Sequence, residues 1–104
     1  MNINDVAKAL KKNEYEVSVF ENKEMATEYL TTIFNNEIIG FGDSETMVQM
    51  ELKKKLSVNN TVFDPKDGKN NDEFLEIAKK CLTTDIFMTS VNGLTEDGVI
   101  VNID

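Results

Sequence analysis

The most constraining feature of this chain is an alternation. Segments with apolar residues at helical spacing take turns with short segments patterned as strands, through the whole 104 residues. In Ile3–Lys12 the apolar residues Ile3, Val6, Ala7 and Leu10 keep helical spacing. "YEVSVF" then puts Tyr15, Val17 and Val19 on one face, as a strand would. Asn22 is placed to cap a second helix, whose apolar stripe is Met25, Ala26, Tyr29, Leu30, Ile33 and Phe34. "EIIGFG" is a short apolar run closed by glycines, the pattern of a buried strand ending in a tight turn.

The second half repeats the scheme. "SETMVQMELKKKL" reads as one helix with Met47, Val48, Leu52 and Leu56 inward, and Lys53–Lys55 as a solvated basic end that suits the helix dipole. "TVF" is a third strand. In "DPKDGK", Pro65 presets a turn and Gly68 permits a left-handed residue. Asn70 or Asn71 caps a helix that turns Phe74, Leu75, Ile77, Ala78, Cys81 and Leu82 inward. "DIFMTS" is a fourth strand, and a loop turning at Asp97-Gly98 leads to a fifth at Val99–Ile103. The order αβαβαβαββ implies right-handed crossovers and an α/β fold, a mostly parallel sheet with helices on its faces. The last two strands, joined by a short connection, are expected to pair antiparallel at one edge. One domain spanning residues 1–104 is expected.

Composition narrows the function. The net charge of −8 argues against nucleic acid and anionic membrane as partners. No apolar run approaches a membrane span, and the N-terminus lacks the layout of a secretion signal, so a cytoplasmic place is expected. There is no histidine, which excludes Ser-His-Asp and Cys-His machinery and leaves a poor ligand set for zinc. The single cysteine, Cys81, excludes an intrachain disulfide and a one-chain iron–sulfur cluster. On the apolar face of its helix it reads as a buried, inert thiol. Met25, Met47, Met50 and Met88 read as core filler. No metal site and no cofactor are expected.

Two stretches can carry chemistry. "GFGDSET" follows a strand and opens a helix, at the strand end where open α/β sheets hold ligands. Gly40 and Gly42 let the backbone approach a ligand. Ser44 and Thr46 add hydroxyls beside the helix N-terminus, a recipe for phosphate or carboxylate. The stretch lacks both the third glycine of a dinucleotide fingerprint and the Gly-Lys-Ser/Thr of a Walker loop. The same residues serve equally as a turn and a helix cap. The loop "TSVNGLTEDG" gathers Thr89, Ser90, Asn92, Thr95, Glu96 and Asp97 at another strand end, with Glu96 or Asp97 as a possible general base. Its Asn92-Gly93 and Asp97-Gly98 pairs serve equally as turn formers.

The segments "IIGFGDSETMVQMEL", "DPKDG" and "TTDIFMTSVNGLTEDGVIVNID" resemble the LUD family, the lactate utilisation domain. Asp85, Thr89, Asn92, Thr95, Asp97, Gly98, Asn102, Ile103 and Asp104 fall on its pattern, and the likeness covers essentially the whole chain. The resemblance implies a three-layer, Rossmann-like fold similar to the sugar-phosphate isomerase and CoA-transferase superfold. It also implies one small-molecule site lined by the glycine turn and the loop after the fourth strand, so that Gly40, Gly42, Ser44, Thr46, Thr89, Ser90, Asn92, Thr95, Asp97, Asn102 and Asp104 are the candidate ligand-binding residues. Family members are associated with oxidation of L-lactate to pyruvate, as subunits of an iron–sulfur system. The family pattern runs on past "NID", and the glycine turn here carries Phe41 and Asp43, so the expectation is a domain lacking its C-terminal portion. Two functions follow. One is a site for a small anionic metabolite of 2-hydroxy or 2-oxo acid metabolism. The other is a non-catalytic interaction module that forms a homodimer or joins a larger metabolic subunit.

Overall fold

Asn2 starts the first helix by accepting hydrogen bonds from the amides of Asn4 and Asp5. A computed structural model of the chain describes residues 2–42, 45–91 and 93–101. In order these form α1 (Ile3–Lys12), α2 (Lys23–Ile33), β1 (Ile38–Phe41), α3 (Glu45–Gln49), α4 (Leu52–Leu56), β2 (Thr61–Phe63), a 3-10 turn (Pro65–Asp67), α5 (Asn71–Cys81), β3 (Ile86–Met88), β4 (Gly93–Leu94) and β5 (Ile100–Val101). They divide into two units, residues 1–22 with 91–104, and residues 23–90.

The larger unit is built on a three-stranded parallel sheet in the order β2-β1-β3. Central β1 pairs Ile39 with Val62 on one side and with Ile86 on the other. Successive residues of a strand face opposite sides. Ile39 and Phe41 therefore share one face, where they pack with Leu52 and Leu56 of α4, Leu30 of α2 and Phe34 just after it. Gly40 faces the other side, against Cys81 of α5. Helices thus cover both faces of an α/β sandwich. Asn60 ties its lower end together. It donates to the carbonyls of Phe34 and Leu56 and accepts from the Glu37 amide.

The smaller unit holds α1 and the antiparallel pair β4-β5. Asn13 Nδ2 donates to the carbonyls of Asp97 at 3.2 Å and Gly98 at 2.9 Å, joining the end of α1 to the hairpin turn. Among the described residues, no helix is long and apolar enough to cross a membrane.

Five expectations are corrected. Tyr15–Val19 is not a strand. Glu14 adopts φ 72°, and the amides of Glu14 and Tyr15 bond back to Lys11 and Leu10, so the start of that segment is spent ending α1. "SETMVQMELKKKL" is two short helices, because Glu51 takes a left-handed conformation at φ 54°. Val48, in the first of the two, is exposed. On α5, Phe74, Leu75 and Leu82 are exposed and Cys81 is the buried residue, while on α2 Met25, Tyr29 and Ile33 face outward and Thr27 is buried. Gly68 has φ −67°, so no left-handed turn requires it; a Cβ there would lie 2.5 Å from the Phe74 amide nitrogen. Finally, β5 pairs with β4 inside the expected loop, in a sheet of its own, and not with the strand Ile86–Met88.

Candidate functional site

β1 and β2 are parallel neighbours, so their C-terminal ends lie side by side. Asp64, the residue after β2, accepts from the Lys66 amide at 3.0 Å and so caps the 3-10 turn that Pro65 begins. Lys53 reaches this turn from α4. Its Nζ lies 3.6 Å from Asp64 Oδ2 and also pairs with Asp67 Oδ1. One lysine thereby clasps the helix after β1 to the turn after β2.

Beside this clasp is a cleft of about 400 Å³. The buried side chains of Phe41 and Met47 form its apolar floor, with exposed Val48 above them. Lys53, Lys54 and Lys66 line it with Glu51 and Asp64. Three lysines and two acids line this cleft, on a chain of net charge −8, and Lys53 among them is engaged by Asp64 and Asp67. The dipole of α3 adds little, since that helix has five residues.

Met47 also borders a second cavity, a groove of about 540 Å³ between β3, α2 and α3. Leu30, Phe34, Met50 and Met88 make it apolar, and Thr46, Thr89 and Ser90 bring hydroxyls to it. Phe87 borders it with 55% of its surface exposed. A third, polar hollow lies at the opposite end of the sheet, around Asn36, Asn59 and Asn60.

The expected site residues have the following places. Gly40 makes room for Cys81 and Thr84, and a Cβ on it would lie 2.9 Å from Cys81 Cβ. Gly42 makes room for Thr89, whose Oγ1 would be 2.9 Å from such a Cβ, and its amide donates to the Met88 carbonyl at 2.8 Å. Both glycines thus admit protein neighbours. Gly42 also borders the basic cleft. Thr46, Thr89 and Ser90 come together along the groove. Thr95 and Asp97 lie in the smaller unit and hydrogen-bond to each other, while Thr95 Oγ1 also accepts from the Val99 amide at 2.9 Å. Their bonds serve the hairpin turn. Ser44, Asn92, Asn102 and Asp104 lie outside the described residues.

Lys53, Lys54 and Lys66 are not among the residues expected from sequence. Lys53 was to be part of a solvated helix end, and its ion pairs correct that. The signal that points to them is the Asp64-Pro65 turn, whose acid needs a cation from elsewhere. Cys81 is buried, its Sγ donates to the Phe63 carbonyl, and burial pushes the thiol pKa up. That is the environment of an unreactive thiol. Among the described residues no group of three or more acids, cysteines or histidines is placed to hold a metal ion.

The family model described as LUD domain matches residues 3–104 of this chain. No curated protein matches it, and no solved structure does.

Proposed function

This chain belongs to the LUD domain family, and from that premise we propose that it binds a small anionic metabolite as a cytoplasmic component of lactate utilisation. The observation that carries this reading is the basic cleft. Lys53, Lys54 and Lys66 gather at the C-terminal ends of β1 and β2, where a parallel sheet offers its ligand site. Three amines beside an apolar floor suit a carboxylate or phosphate better than a neutral ligand.

A thermal-shift panel of lactate, pyruvate, sugar phosphates and CoA derivatives tests it. A ligand at ten times its Kd stabilises the protein by about 1.4 kcal/mol, or roughly 6–11 °C in a domain of this size. The shift should vanish in the Lys54→Glu/Lys66→Glu double variant. No shift with any anion would overturn the reading.

One observation favours a second reading, an interaction module that forms a homodimer or joins a larger metabolic subunit. Among the described residues β3 pairs only with β1, and Phe87 stands exposed on it beside the apolar groove. An unpaired edge with an apolar neighbour is a surface that proteins cover. Light scattering separates the two readings, since a monomer at high concentration excludes self-assembly through this edge.

A further inference from the structure

The size and lining of the basic cleft carry the argument further than its charge alone. A volume of about 400 Å³ is space for roughly a dozen waters at ~30 Å³ each. A three-carbon hydroxy acid has six heavy atoms and would fill about half of it on that scale. The rest of the space would stay as water over the apolar floor of Phe41 and Met47. Ligand sites are mostly apolar hollows with a few placed polar groups, and the apolar surface is there to be covered. The charges here are so arranged. The lysines come from α4 and the turn after β2, while Phe41, Met47 and Val48 come from β1 and α3. The charged and apolar walls therefore belong to different elements.

Resting on the reading of this cleft as the anion site, we infer that its ligand is an amphipathic organic anion, larger than lactate or pyruvate. Its carboxylate or phosphate group lies on Lys54 and Lys66, and its aryl or acyl body lies over Phe41 and Met47, against Val48. Lys53 has a different part. Its bonds to Asp64 and Asp67 hold the turn on which Lys66 sits.

Isothermal titration of the full chain separates this inference from the reading it rests on. The probes are phenyl phosphate against inorganic phosphate, and 3-phenyllactate against L-lactate. In each pair the phenyl compound is expected to bind about tenfold more tightly, from partial burial of its ring. Val48→Ser, a change at an exposed position, should weaken the phenyl compounds about threefold and leave the small anions unchanged. Lys54→Glu should weaken both members of each pair. Equal affinities within both pairs, or phenyl affinities indifferent to Val48→Ser, overturn the inference while the anion site stands. No binding of any probe to the wild type overturns both.

Discussion

Gly40 of β1 lies directly beneath Cys81 of α5, so closely that a Cβ on the glycine would be 2.9 Å from Cys81 Cβ and 3.1 Å from Cys81 Cα. This contact sets the distance between the central strand and α5. The neighbour is helix backbone, which cannot swing aside as a side-chain tip would.

Gly40→Ala is therefore expected to destabilise the domain. Overpacking of this kind costs about 1–3 kcal/mol, offset by about 0.4–1 kcal/mol from the stiffer unfolded chain. Urea unfolding should show a lower midpoint with an unchanged slope. Cys81→Ala should not rescue it, because the clash is with Cβ and Cα and both remain.

Burial gives Cys81 a pH signature. The largest influence on its thiol is desolvation, which raises the pKa; the carboxylate of Asp64 adds to this, and a bond involving the Phe41 backbone opposes it. The folded state thus holds the proton more tightly than the unfolded state. The associated stability is fully present below the ordinary thiol pKa and is lost as pH rises through the raised one. The melting temperature of the wild type should fall more steeply than that of Cys81→Ala in this alkaline range. Parallel curves would show that the thiol does not titrate differently on folding. Iodoacetamide should label the native protein slowly at neutral pH and readily in denaturant.

What the sequence made legible was local. The caps of α1 and α5 bond only within four residues, and Asn2 and Asn70 announce them. β1 and β2 are short apolar runs closed by turn residues. Tyr15–Val19 has the period of a strand, but a strand also needs a partner and free amides, and the amide of Tyr15 already serves α1. The break at Glu51 escapes notice because its flanks keep helical spacing and a left-handed glutamate has no compositional mark. The lysines of the cleft look like a basic helix end until Asp64, eleven positions after Lys53, is placed opposite them. Thr95 and Asp97 were readable as turn residues or as ligands, and in the hairpin they bond to each other.

The hairpin turn tolerates little change at Gly98. Its φ is +81°, and a Cβ would fall 2.7 Å from the carbonyl carbon of Ala9 in α1. Gly98→Ala combines a left-handed penalty with a backbone clash, so its cost should exceed about 1 kcal/mol. Asn13→Ala removes the two bonds to the Asp97 and Gly98 carbonyls and should cost about 1–3 kcal/mol. Both losses should appear as faster amide exchange at residues 93–101 and in α1, with α5 and the three-stranded sheet protected as before. Uniform loss of protection throughout the chain would show that the two units unfold together.

Lys53 offers a test of the clasp itself. Its pairing with Asp64 and Asp67 is partly exposed, so solvent screening leaves it worth about 0.2–1 kcal/mol. Lys53→Met keeps most of the apolar stem and removes the charge. At low salt the variant should melt a few degrees below the wild type, from about 4–8 °C per kcal/mol in a domain of this size. At 1 M salt, where screening acts within about 3 Å, the gap should narrow. Asp67→Asn in the Lys53→Met background should then cost less than it does alone, because its partner is already gone. A gap that persists at high salt, with the two changes additive, would show that the ion pairs contribute nothing.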